Sequence, residues 1–136
     1  EQFKNQLIQK KYLIILNGSI TYNSGLLEHN LSFKEKGKIK FFKAETNFFV
    51  ISKNNHYTYV EASPITGRKH QLRQQFLKIN NPIVGDNKYF SAYYKKISNN
   101  LMLHSYQIIF KYKNKKKIYK IEPPTKFKNF LRTSNL

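Results

Sequence analysis

The clearest pattern in the chain is an uninterrupted apolar run, Tyr12-Leu13-Ile14-Ile15-Leu16, closed by Asn17-Gly18. A continuous apolar stretch of this length, bounded by a turn signal, predicts a buried strand. Upstream, Phe3, Leu7 and Ile8 recur at helical spacing, which predicts that residues 1–10 are the end of a helix. Downstream, residues 19–24 read as a short strand or turn, 25–37 as a loop holding a piece of strand, and 39–42 as a short strand with a basic rim. Residues 44–52 and 56–62 flank Lys53-Asn54-Asn55 and predict a β-hairpin, closed by the loop Pro64-Ile65-Thr66-Gly67. In 69–79, Leu72, Phe76 and Ile79 fall on one face of a short amphipathic helix. Pro82-Ile83-Val84-Gly85-Asp86 reads as a tight connection. Residues 101–112 and 117–121 read as antiparallel strands around a Lys/Asn turn; Pro123-Pro124 breaks the run before a short terminal helix over 126–132. With no internal repeat and no linker, the pattern predicts one α+β unit with a mostly antiparallel, mixed sheet and short helices.

Composition narrows the chemistry. The 136 residues are 40% apolar and 15% aromatic, enough for a single core and too much for a disordered basic tail. There is no Cys, which excludes a disulfide framework, Cys-ligated zinc and a thiol nucleophile within these residues. The acids are six Glu and a single Asp, Asp86, so a calcium loop or a two-metal carboxylate site is not expected. No apolar run approaches the roughly 20 residues of a membrane helix. Residues 1–11 carry neither a signal-peptide nor a transit-peptide pattern. A cytoplasmic monomer is therefore expected, with an organellar address open if a targeting segment precedes residue 1.

Charge changes the picture most. Lys and Arg number 25 and Asp and Glu 7, a net +18. Such a surface calls for an anionic partner: nucleic acid, anionic lipid or acidic protein. No basic amphipathic helix with a clean apolar face is present, which disfavours a lipid surface. Lys, Asn, Ile, Tyr and Phe are all enriched together, and all have A/T-rich codons, so base composition is a second source of the lysines. Arginine is more selective. Only Arg68, Arg73 and Arg132 occur, and two of them stand within six residues.

Those two belong to Pro64-Ile65-Thr66-Gly67-Arg68-Lys69-His70-Gln71-Leu72-Arg73. A strand running through a Gly-containing turn into a helix start offers backbone N–H groups and a bidentate guanidinium to an anion. An ordinary strand-to-helix connection with solvated charges explains the same segment equally well.

The run TGRKHQLR resembles the TGR-x-HQ-[IL]-R motif of RluA-type RNA pseudouridine synthases. Further pieces resemble that family in the same order: Lys10-Lys11-Tyr12 before the apolar run, Ala44-Glu45-Thr46 with Phe49-Val50-Ile51, Asn81-Pro82-Ile83-Val84-Gly85-Asp86 with Tyr89, Leu101-Met102-Leu103-His104-Ser105, and Ile121-Glu122-Pro123-Pro124 with Phe127. The resemblance covers about residues 10–131. It implies the pseudouridine synthase fold and an enzyme that isomerises uridine in structured RNA, with large-subunit ribosomal RNA favoured and transfer RNA open. It implies no metal and no cofactor. In the family it resembles, an Asp carboxylate is the nucleophile or covalent partner that promotes cleavage of the N-glycosidic bond, and the freed uracil rotates and is rejoined through C5. That Asp sits in an R-L-D-x-x-T-S-G motif, which this sequence lacks. By the resemblance it precedes Glu1, so residues 1–136 are expected to be the C-terminal part of the catalytic domain and inactive alone.

The resemblance assigns Tyr12 to stacking on the target base and proton transfer at C5. It assigns Arg73 to pairing with the missing Asp, and Leu103 to walling the uracil pocket. Arg68, Lys69, His70 and Gln71 are expected near the RNA backbone around the flipped nucleotide. Gln74-Gln75, where the family has an apolar residue and His, are expected to alter only the helix surface. Ser105 stands for the usual Ala. Asp86 is expected to make a side-chain-to-backbone turn bond. The competing reading is a non-catalytic basic RNA-binding module or ribosome-associated protein.

Overall fold

The computed structural model describes residues 8–94, 96 and 98–136. Six strands form one sheet in the order β2-β3-β4-β1-β5-β6: β1 (Ile8–Asn17), β2 (Ser24–Glu35), β3 (Lys38–Lys53), β4 (Tyr57–Pro64), β5 (Leu103–Tyr112) and β6 (Lys115–Lys120). Every pairing is antiparallel, so the mixed character expected of the sheet is not present among these strands. Helices α1 (Gln71–Lys78) and α2 (Thr125–Thr133) complete the elements among the described residues.

The apolar run of β1 lies between β4 and β5, at the middle of the sheet. Its side chains alternate between two cores. Ile14 and Leu16 pack with Val60, Ala62, Phe48 and the α1 residues Leu72 and Phe76. Leu13 and Ile15 pack on the other side with Val84, Met102 and Phe127 of α2. A strand covered by helices on both faces cannot show polar alternation, which is why its sequence is continuously apolar.

The sequence pattern errs at the edges. Ile8, Gln9 and Lys10 extend β1 and pair with Phe110, Ile109 and Ile108, so they are not helical; the rest of the expected helix lies outside the described residues. Residues 25–37, expected as a loop holding a piece of strand, are mostly strand β2. The expected strands over 39–42 and 44–52 are one continuous β3 of 16 residues. The two-residue turn Lys36-Gly37, with φ of 50° and 77°, joins β2 to β3. Both residues have positive φ, as the favoured hairpin turns require, although Lys-Gly is a weaker signal than Asn-Gly.

The helix surface holds a second correction. Gln75 is fully buried, at 0% exposure. Its amide donates to the Ala44 and Leu27 carbonyls at 3.0 and 3.3 Å and accepts from the Thr46 hydroxyl at 2.6 Å. It also lies 3.2 Å from His29 Nδ1. The Gln74 side chain, by contrast, donates to the Lys69 carbonyl in the connection just before the helix. Gln75 therefore ties α1 to β2 and β3, and its polarity disguises a core position.

Replacing Gln75 by Leu strands these partners, each burial of an unsatisfied polar group costing about 1–3 kcal/mol. Urea unfolding should show Gln75→Leu destabilised by at least that much, with Gln74→Leu within about 0.5 kcal/mol of the parent. Equal effects of the two would remove the distinction.

Candidate active-site cleft

A cleft of about 260 Å³ opens on the α1 face of the sheet. Three separate elements supply its walls. Strand β1 contributes Lys10 and Tyr12, β5 contributes Leu103, and the β4–α1 connection with the first turn of α1 contributes Thr66, Arg68, His70, Gln71 and Arg73. Tyr12 and Leu103 are brought together because the two strands are neighbours, with Tyr12 opposite Ser105 and Ile14 opposite Leu103. The register slips between Lys11 and Tyr12, so Tyr106 is the extra residue on β5. The bulge restores Tyr12, Ser105 and Leu103 to one face. Burial raises the Tyr12 phenol above its ordinary value, and its bond with Ser105 only partly offsets that. At neutral pH Tyr12 presents a ring face and an intact O–H.

Asp86 supplies a carboxylate to Arg73. Arg73 Nε and Nη2 donate to Asp86 Oδ2 and Oδ1 at 2.8 and 2.7 Å, a bidentate pair. Arg73 therefore has an acidic partner within these residues, one that the sequence reading did not assign to it. The expected turn bonds are present too, with the Lys88 and Tyr89 N–H groups donating to Asp86 Oδ1 at 3.0 and 2.9 Å. Burial pushes the Asp86 carboxyl up, but the bonds from Arg73, Tyr89 and Lys88 outweigh it and hold the group below its ordinary value. The Tyr89 ring lies under the Arg73 guanidinium at 5.1 Å, and its hydroxyl is 3.1 Å from His70 Nδ1. Arg73 is thus gripped by a carboxylate at one edge and a ring on one face. Burial, then the charges of Arg73, Lys88 and Lys69, lower His70 despite the opposing pull of Asp86, so the imidazole is neutral at pH 7.

The remaining expected residues divide. Arg68 lines the cleft, stacked over Phe42 at 5.0 Å and donating from Nε to the Lys43 carbonyl at 3.1 Å. Gln71 lines it as well, but all four of its amide positions are used inside the chain. Oε1 accepts from the Thr66 hydroxyl at 2.6 Å and the Arg68 N–H at 3.0 Å; Nε2 donates to the Glu45 carbonyl at 3.0 Å and the Thr46 hydroxyl of β3 at 2.8 Å. These four bonds hold the loop to β3. Lys69 is exposed and does not belong to the cleft wall. Asp86, Tyr89 and Phe42 are the residues that sequence reasoning left without a role here; the motif pairing Asp86 with Tyr89 was the available signal. Among the described residues no group of three His, Asp or Glu side chains comes together to hold a metal.

A family model described as RNA pseudouridylate synthase matches residues 1–78. The chain belongs to that family. The dual-specificity RNA pseudouridine synthase RluA of Yersinia pestis is 33% identical over 115 residues, covering 79% of this chain and 56% of its own length. Ribosomal large subunit pseudouridine synthase D of Borreliella burgdorferi is 33% identical over 141 residues, 96% of this chain and 43% of its own length. Human RNA pseudouridylate synthase domain containing 4 shares the fold, with a TM-score of 0.79 at 24% identity over 96% of this chain and 64% of that one. The chain spans about half the length of the curated relatives it matches.

The Arg73–Asp86 pair predicts an acid transition. A carboxyl held below its unfolded value of about 3.9 stabilises the fold above that pH, and the contribution is lost as pH falls through the folded value. Melting temperature should fall as pH drops below about 4. Asp86→Asn should melt lower at pH 7 and lose that acid component; an unchanged acid slope would show that other carboxyls carry it.

Proposed function

We propose that residues 1–136 are the C-terminal part of the catalytic domain of an RNA pseudouridine synthase that isomerises uridine to pseudouridine. The observation that carries this reading is the convergence of Tyr12, Arg73 and Leu103, from β1, α1 and β5, on one basic cleft. Leu103 offers an apolar wall and Tyr12 a ring for a base taken out of its stack. Arg68 and Arg73 supply positive charge at the rim, where the phosphates of a flipped nucleotide would pass. The nucleophilic Asp is supplied from outside these residues, because the only Asp here is buried against Arg73. Asp86 occupies Nε and Nη2 of Arg73, and the guanidinium keeps further N–H donors with which to hold a second carboxylate in place. That relatives are ribosomal large subunit pseudouridine synthases favours ribosomal RNA as substrate.

The Arg73–Asp86 pair also favours a second reading, a binding module in which Arg73 is purely structural. Activity separates the two. The 136-residue chain alone should form no pseudouridine in ribosomal RNA, and detection of the product would overturn its dependence on an outside Asp. In the complete protein, Arg73→Ala should abolish turnover, while Lys116→Ala should mainly weaken RNA binding and reduce its salt dependence. Absence of turnover in the complete parent protein would favour the binding module.

A further inference from the structure

The β5–β6 hairpin carries aromatic rings and lysines on the same face of the sheet as the cleft. The register makes this explicit. Lys10 of β1, which lines the cleft, stands opposite Ile108, and Ile108 stands opposite Tyr119. In the next row along the strands, Phe110 stands opposite Lys117, and beyond it Tyr112 stands opposite Lys115. Residues directly opposite in a sheet project to one face, and so do residues two apart on a strand. One surface therefore leads from the cleft through Lys10 to Tyr119, Phe110 and Tyr112.

The rings on this surface are available. Tyr119 is 58% exposed and Tyr112 57%. Phe110 and Tyr119 are stacked nearly parallel, with centroids 5.8 Å apart and planes 15° apart. The stack leaves Tyr119 as the outer ring of a preformed pile. No acid occurs between residues 103 and 120, while six lysines do. Such a strip of exposed apolar area would be a solubility liability in a protein without a partner. Rings on a sheet face, bordered by cations that can follow a phosphate backbone, instead form the arrangement on which unpaired bases stack.

We propose that this face of the β5–β6 hairpin is a single-strand RNA platform, on which Tyr119 stacks an unpaired base flanking the nucleotide in the cleft while Lys117 and Lys115 hold the adjoining phosphates. The inference rests on the reading of RNA as the substrate and adds the place and conformation of the flanking strand. A base flipped into the cleft leaves its neighbours unstacked, and a ring at the end of a continuous basic face supplies the lost stacking.

The test measures affinity of the complete protein for two labelled probes, a 12-nucleotide oligouridine and a fully paired RNA duplex. Tyr119→Ala should lose roughly 5- to 150-fold in affinity for the single strand, and Tyr119→Phe should bind like the parent. Duplex affinity and the salt slope should be unchanged in Tyr119→Ala, since no phosphate contact is removed. Lys117→Ala should instead reduce the single-strand salt slope by about 0.7. Parental single-strand affinity in Tyr119→Ala, an equal loss in Tyr119→Phe, or an equal loss on the duplex would each overturn the platform and leave the cleft reading standing. A parent protein that binds neither probe would overturn the RNA reading itself.

Discussion

Strand β1 must be covered on all four sides, and the rest of the molecule follows from how that is done. Its edges are taken by β4 and β5, and its faces by α1 and α2 through Phe76 and Phe127. Because Leu13 to Leu16 are buried whichever way they point, the strand cannot slip by one residue without preserving burial, so apolar pattern alone does not set its register. The register is set where the strand ceases to be uniformly apolar, at Lys10, Lys11 and Tyr12. There Tyr12 shares the α1 face with Ile14 and the bulge in β5 keeps Ser105 and Leu103 beside it, while Lys11 reaches Glu61 on the opposite face. The cleft exists because the central strand changes character at its N-terminal end.

Two glutamines fix the other wall. Gln71 and Gln75 stand one helical turn apart on α1 and both reach Thr46 of β3. Buried amides with every partner present are rigid, since any displacement leaves a polar group unsatisfied in a dry site. They hold the start of α1 against the sheet, and Arg73 between them faces the cleft. Asp86 approaches it from the following connection, whose path is restricted as well. Gly85 has φ of 84°, and a Cβ there would collide with the Asn100 backbone carbonyl. Only glycine allows the connection to pass so close and deliver Asp86 to the guanidinium.

The basic charge is organised by the same sheet. Two hairpins at opposite ends of the strand order, β2–β3 and β5–β6, carry many of the lysines, and Arg68 is drawn to the first by Phe42. Composition alone cannot tell a diffuse lysine background from a basic surface built around a site. The antiparallel register can, because it decides which cations share a face with the cleft.

By itself the sequence determined the central strand, the 44–62 hairpin, the amphipathic α1 and the segment that carries Arg68 to Arg73. Each of these is a local pattern, written in the spacing of apolar residues, turn residues and motif residues along a few turns of chain. The tertiary structure alone decided the full length of β2 and β3, the burial of Gln75 and the marriage of Arg73 to Asp86. The physical reason is common to all three. A strand without clear alternation is made by its neighbour's hydrogen bonds, and a glutamine is core or surface according to whether distant carbonyls meet it. An arginine takes whichever carboxylate the chain folds back to within 3 Å, and that carboxylate was 13 residues away.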